Sequence, residues 1–372
     1  MIIQQVNSFK KYIFSKKKPR IIKVTITIGA KMKKDIVLIT GISGWIAQFC
    51  AVELIKKGFH VRGSLRNMHR QSEVKKAIST AVEIAESLSF CELDLLHDDG
   101  WDAAMENCTY VLHVASPFII EEPNHPDDLI RPAEEGTIRA LTAAQKAKVN
   151  RVVVTSSIIA MMAHLTKGQF DPTHWTDLSS NNITSYARSK TIAEKKAWDF
   201  FNNQTSNEHQ IELVTINPGG VMGPTLSDDI EGASLNFCAQ LLTKKMPGIP
   251  NVGLPMVDVR DVAKHHVAAM LHPDANGKRY ISAQSESTPF LNIAQLLKKH
   301  GYDVPTKKVP SFVIKLLALF DKEAKGMVPL LNKSISCDNS STVSAFNWTP
   351  ESLETTIIDM AKSVQKVLNK KH

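Results

Sequence analysis

The chain has 372 residues, 43% of them hydrophobic, which is enough to bury a large core and more than one compact unit usually holds. Its formal charge of +8 belongs to one end: residues 1–34 carry ten Lys or Arg and no acid, leaving 35 basic against 37 acidic residues in the rest. That near-neutral body, without a basic stripe interleaved with aromatics, excludes a nucleic-acid surface, and the apolar run 312–320 falls short of the roughly 20 residues of a membrane span and reads as a core helix.

The basic segment 1–34 admits four readings: a targeting peptide, a membrane-surface anchor, a disordered arm, or an upstream extension of an enzyme that begins at Met32. The last is favoured, because Met32-Lys33-Lys34-Asp35 leads straight into an apolar run. Residues 35–40 are continuous in apolar character, as in a parallel strand covered on both faces. A glycine turn follows, then a helix over 45–57 closed by Gly58, and a second strand over 60–65. Alternation continues with a helix over 73–86, a strand over 89–94, a helix over 101–106, a strand over 110–114 and a helix over 132–148. Strands over 151–155 and 211–217 flank a long helix over 185–201.

This pattern specifies an α/β fold with a doubly wound parallel sheet. After Pro218 it changes. Residues 224–256 are loop-rich with one helix near 234–242, residues 258–271 form a helix returning to the main body, and 279–281 form a short strand. Helices follow over 289–300, 311–320 and 350–368. The expected partition is a nucleotide-binding domain over 35–223, to which 258–283 returns, and a smaller, discontinuous substrate-binding lid domain made of 224–257 and 284–372.

Two features carry chemistry. In Thr40-Gly41-Ile42-Ser43-Gly44-Trp45-Ile46-Ala47, Gly41 permits a tight exit from the strand and Gly44 lets backbone approach a pyrophosphate. Small Ala47 lets the helix pack on the sheet, and the helix N-terminus offers free amides to phosphate. Gly41, Ser43, Gly44, Trp45 and Ile46 are therefore cofactor-binding candidates. Between Phe59 and His69 there is no acid to accept from a ribose 2′-hydroxyl. Arg66 at the strand exit, with Arg70 beyond it, suits a 2′-phosphate instead, so NADP is the expected cofactor. The second feature is Tyr186-x-x-x-Lys190: four residues apart on a helix, phenol and ammonium share one face, and the positive neighbour is expected to lower the Tyr186 pKa.

The chain resembles the extended short-chain dehydrogenases/reductases, and within them the dihydroflavonol reductases, cinnamoyl-CoA reductases and related aldehyde reductases. The resemblance runs from Asp35 to the C-terminus. It rests on Thr40-Gly41-x-x-Gly44-x-x-Ala47, Asp94-Leu95, Val114-Ala115-Ser116-Pro117, Thr155-Ser156-Ser157, Tyr186-x-x-x-Lys190 and Pro218-Gly219-Gly220-Val221-Met222-Gly223-Pro224. It implies a Rossmann domain in which Asp94 and Leu95 lie against the adenine. Val114, Ala115 and Ser116 would line the cofactor channel, and Pro218 to Val221 would contact the nicotinamide. It further implies that Ser157 hydrogen-bonds a substrate carbonyl, that Tyr186 protonates it, and that Lys190 holds the nicotinamide ribose. The expected activity is NADPH-dependent reduction of an aldehyde or ketone.

This chain departs from many relatives in the bulk of Ile158-Ile159-Ala160-Met161-Met162, which is expected to narrow the substrate pocket and disfavours a polyphenol. Residues 171–178, with His174 and Trp175, are either a loop that closes over substrate or a plain surface loop with a Trp anchor. The segment 257–262 is expected to hold an ion pair bridging the two domains. Alternatives on the same scaffold are an NAD-dependent nucleotide-sugar epimerase or dehydratase, a hydroxysteroid dehydrogenase with a long pocket behind Met161 and Met162, and a non-catalytic NADP sensor. Five scattered cysteines and no clustered His or Cys suit a reducing cytoplasm and give no metal site. The expected partner is a small carbonyl compound, with no nucleic acid or membrane, for a monomer or homodimer.

Overall fold

In the first strand, β1 (Ile36–Ile39), Val37 and Ile39 point to one face and Leu38 to the other, and all three are completely buried. A strand covered on both sides cannot alternate apolar with polar residues, which is why this segment reads as an unbroken apolar run. The computed structural model describes residues 35–117, 122–230 and 232–370. The basic segment 1–34, with all four of its readings, lies outside them.

From β1 the chain continues through α1 (Trp45–Lys56), β2 (His60–Leu65), α2 (Gln71–Ser79), β3 (Leu88–Glu92), α3 (Trp101–Met105) and β4 (Cys108–His113). Then come α4 (Asp127–Lys146), β5 (Arg151–Thr155), α5 (Ile159–Met162), β6 (Lys167–Phe170), α6 (Ser185–Asn202) and β7 (Glu212–Pro218). The later part holds β8 (Gly220–Met222), α7 (Ala233–Leu242), β9 (Ile249–Pro250), β10 (Gly253–Asp258), α8 (Val259–Leu271) and β11 (Lys278–Ser282). It ends with β12 (Ser287–Pro289), α9 (Phe290–Lys299), β13 (Lys308–Val309), α10 (Ser311–Leu317), α11 (Lys322–Met327), β14 (Ser334–Cys337), α12 (Ser340–Phe346) and α13 (Leu353–Lys370).

Seven strands form one parallel sheet in the order β3-β2-β1-β4-β5-β7-β11. Helices α1, α2 and α8 pack on the Val37 face and α3, α4 and α6 on the Leu38 face, giving the doubly wound Rossmann-like architecture. Strand order reverses between β1 and β4, and in such sheets ligands bind at the carboxyl ends of the strands beside that reversal. A separate apolar cluster joins α7, α9 and α13 through Leu241, Ile293, Leu297, Ile357 and Val364.

Several expected elements differ. Helix α2 stops at Ser79 rather than 86, because the Thr80 amide and hydroxyl both turn back onto the Ala77 carbonyl, and Ala85 adopts a φ of 35°. Helix α4 starts at Asp127, so Pro132 lies inside it and removes one intrahelical hydrogen bond instead of opening the helix. The loop-rich 224–256 contains the short strands β9 and part of β10, the latter paired with β8 and β12. The apolar run 312–320 is not a core helix: Phe312 is 70% exposed, Leu319 71% and Phe320 88%, with Ile314 alone in that run turned fully inward.

Candidate active site

The turn after β1 is shaped by close packing. Gly41 has a φ of 66°, and a Cβ placed on it would lie 2.9 Å from the Ala115 Cβ at the exit of β4. Thr40 fastens the same two strand ends: its Oγ1 accepts from the Ala115 amide at 3.0 Å and pairs with His113 Nδ1 at 3.0 Å. Gly44 is the N-cap of α1 and supplies no side-chain cap, which leaves first-turn amides to face a ligand. The Ser64 hydroxyl accepts from the Gly41 amide at 3.0 Å, and Gln48 Nε2 donates to the Ser43 carbonyl at 2.9 Å. Trp45 Nε1 donates to the Pro224 carbonyl at 2.7 Å, joining the glycine turn to the end of the Pro218-to-Pro224 segment, and Ile46 and Val221 pack against the same cluster of Val257, Val262 and Trp348.

Arg66 is exposed just after β2, and no hydrogen bond or ion pair engages it among the described residues. Arg70 is committed elsewhere, donating to Glu73 at 2.9 and 2.6 Å and lying 3.5 Å from Asp229. An uncapped helix N-terminus, a glycine turn with no room for side chains and a free guanidinium one strand away together fit a dinucleotide bearing a 2′-phosphate. Asp94 accepts from the Leu96 amide at 2.9 Å, and Leu95 rests against Gly136 of α4.

Helix α6 begins where Thr184 Oγ1 accepts from the Ala187 amide at 3.1 Å and Glu122 accepts from the Ser185 amide at 3.1 Å. An acid at that end also suits the helix dipole. Tyr186 and Lys190 consequently fall one turn apart beside the ends of β5 and β7. The Ser157 hydroxyl, two residues past β5, is hydrogen-bonded to the Tyr186 phenol. The Ile158 amide donates to the Pro218 carbonyl at 3.0 Å, so the Ser157 turn and the Pro218-to-Val221 segment are held together.

The expected lowering of the Tyr186 pKa is not found. Tyr186 is half-buried, and burial pushes its phenol up to about 12 while the Ser157 hydrogen bond offsets only part of that rise. The phenol is therefore protonated at neutral pH, as a proton donor must be. Lys190 is 7% exposed and donates to the Thr155 carbonyl at 3.3 Å. Burial pulls its pKa down to about 8, against the opposing pull of Glu194.

Glu194, one further turn along α6, was not singled out by the sequence, although a Tyr-x-x-x-Lys-x-x-x-Glu spacing on one helical stripe signals it. It is 1% exposed and accepts from Asn217 Nδ2 at 2.8 Å, Arg279 Nε at 2.7 Å, Thr215 Oγ1 at 3.2 Å and the Ser156 hydroxyl. Arg279, on β11, also donates to the Pro172 and His174 carbonyls at 2.6 and 2.7 Å and lies 3.8 Å over the Trp175 ring. These contacts fix residues 171–178 as a clamped segment with a Trp anchor.

Two other sequence readings resolve here. Met161 and Met162 are fully buried in a cluster with Ile158, Phe170, Ile281 and Ile335, so they are core and not pocket wall. The substrate limits drawn from their bulk, and the long pocket behind them, lose their basis. In 257–262, Arg260 pairs with Asp258 at 2.7 Å and with Asp359 of α13 at 2.8 Å.

The NAD dependent epimerase/dehydratase family matches residues 37–282. Cinnamoyl-CoA reductase 1 of Arabidopsis thaliana is 34% identical over 279 residues, which cover 73% of this chain and 77% of that protein. Tetraketide alpha-pyrone reductase 1, also of Arabidopsis thaliana, is 30% identical over 312 residues, covering 77% of this chain and 92% of that protein. The crystal structure of the yeast methylglyoxal/isovaleraldehyde reductase complexed with NADPH has the same fold, with a TM-score of 0.73 over 90% of this chain and 99% of that one at 24% identity.

Proposed function

The chain belongs to the NAD dependent epimerase/dehydratase family of extended short-chain dehydrogenases/reductases, and from that premise we propose that it is an NADPH-dependent reductase of an aldehyde or ketone. The observation that carries this reading is the convergence of Ser157, Tyr186 and Lys190 at the carboxyl end of β5, where the Lys190 ammonium donates to the Thr155 carbonyl at 3.3 Å, two strands from the glycine turn after β1. The cofactor is NADP, which Arg66 and the uncapped N-terminus of α1 suit. Bound as NADPH, it supplies the hydride.

Each side chain then has one task. Ser157 donates a hydrogen bond to the carbonyl oxygen and fixes its direction. Tyr186 gives its phenolic proton to that oxygen as negative charge develops there, so the carbonyl becomes an alcohol. Lys190 would hold the nicotinamide ribose and place a positive charge beside the phenolate that remains. Prior alignment of donor, carbonyl and phenol accounts for most of the acceleration. Residues 224–257 and 284–372 are assigned to the substrate, as a discontinuous lid domain.

The absence of an acid between Phe59 and His69 favours this reading over an epimerase with retained NAD. The test is to follow loss of reduced nicotinamide when purified protein meets a panel of aldehydes and ketones with NADPH or NADH. Turnover with NADPH well above that with NADH is expected. Preference for NADH, or no turnover across aliphatic and aromatic carbonyls, would overturn the proposal.

A further inference from the structure

We propose that Glu194 is a positioning residue: held between Arg279 and the strand ends that carry Ser157, its carboxylate sets the electrostatic balance at Lys190. This rests on the reductase reading above. Tyr186, Lys190 and Glu194 occupy three successive turns of one stripe of α6, so backbone geometry alone aligns phenol, ammonium and carboxylate. The carboxylate accepts from Ser156, the residue before Ser157, and from Asn217 Nδ2, which also donates to the Ser157 carbonyl at 3.2 Å. Glu194 thus holds the turn that presents the Ser157 hydroxyl to Tyr186.

The charges follow the same geometry. Lys190 and Glu194 both line a cavity of about 10 Å³ whose other polar lining residues include Thr137, Thr155, Ser156 and His113. His113, from β4, is kept neutral, its pKa lowered to about 3 by burial and by Lys190. His266, from α8, lies behind Thr155 at 2.7 Å from its Oγ1 and is likewise neutral, its pKa lowered to about 4 by burial. Among the described residues lining this enclosure Glu194 is the one acid, and its charge acts on two cations: Arg279, ion-paired with it at 2.7 Å, and Lys190, one turn away on α6. Arg279 is 10% exposed at its side chain, and its Nη2 has no hydrogen-bond partner among the described residues, so it has little solvent to screen its charge.

Sharing makes a prediction in two opposite directions. Removing the carboxylate's charge by Glu194→Gln takes away the charge that holds the Lys190 pKa up against burial and lowers it from about 8 by about one unit. Removing the cation by Arg279→Gln leaves Glu194 wholly available to Lys190 and raises it. A residue with a merely structural role moves neither, or moves both the same way.

The experiment is 13C NMR of protein carrying ε-13C lysine, with the Lys190 signal assigned from Lys190→Met and titrated in the wild type, Glu194→Gln and Arg279→Gln. Shifts of opposite sign are expected; an unmoved Lys190 signal in folded variants, or shifts of the same sign, overturns the proposal. Should Glu194→Gln fail to fold, Arg279→Gln alone decides by its upward shift. The alkaline limb of the pH profile of kcat must move with the NMR value in each variant. If the lysine titrations shift as described while wild-type protein turns over no carbonyl compound, the reductase reading falls and the coupling of Glu194 to Lys190 stands.

Discussion

Gly41 and Gly58 both adopt positive φ, 66° and 88°, yet only Gly41 is crowded, and the pair separates backbone strain from packing at the cofactor turn. An alanine in left-handed conformation costs about 1–2 kcal/mol. At Gly58 nothing lies within 4 Å of the added Cβ, so Gly58→Ala should lose about that much stability and no cofactor affinity. At Gly41 the new methyl meets the Ala115 Cβ at 2.9 Å and its Cα at 3.2 Å, and backbone cannot turn aside as a flexible side chain can. Overpacking of this kind adds about 1–3 kcal/mol, for a total of about 2–5 kcal/mol. The displacement falls on the Thr40–Ala115 hydrogen bond that joins the glycine turn to the cleft wall. NADPH affinity of Gly41→Ala should therefore fall at least about tenfold, or about 1.4 kcal/mol. Urea unfolding and fluorescence titration with NADPH measure both quantities. Equal destabilisation of the two variants, or unchanged NADPH affinity in Gly41→Ala, would refute the assignment of this turn.

Other consequences are as specific. Arg66→Ala should weaken NADPH binding by about 10–100-fold, the worth of a charge-assisted contact, and leave NADH binding unchanged; equal losses for both would remove Arg66 from the phosphate site. The folded-state pKa of Lys190, about 8, lies below its ordinary 10.5, so between those values the unfolded chain binds more protons and stability rises with pH, by up to about 3 kcal/mol. Lys190→Met should lose that component of the rise in urea unfolding at graded pH, and an identical slope in the variant would contradict it. Asp258→Ala removes the N-cap of α8 and strands Arg260, and a loss of about 3 kcal/mol is expected by thermal or urea unfolding; a loss below about 1 kcal/mol would show that Asp359 alone satisfies the guanidinium.

The sheet was legible because its strands are buried on both faces: 36–39 and 152–154 are unbroken apolar runs, and each is followed by turn residues or a helix with its own period. The site was legible where backbone dictates chemistry, as at Gly41 and at the four-residue spacing of Tyr186 and Lys190. What escaped reading depends on long-range partners. Strands β8, β9, β12 and β13 have two or three residues each, too few for a period to show. Residues 312–320 are as apolar as a core helix, and only their neighbours decide that Phe312 and Phe320 face outward. Met161 and Met162 follow Ser157 in sequence, but α5 turns them toward Phe170 and Ile335. The Tyr186 pKa went the other way because burial raises it and outweighs the one opposing influence, the Ser157 hydroxyl, a balance that a four-residue spacing does not reveal.

The most direct test of Tyr186 as the proton donor is the turnover of Tyr186→Phe with NADPH and whichever carbonyl compound the wild type reduces fastest, measured beside its NADPH affinity. Loss of the phenolic proton should cut kcat by about 100- to 10,000-fold while NADPH binding stays within about twofold of wild type. Turnover retained near the wild-type rate would contradict the account.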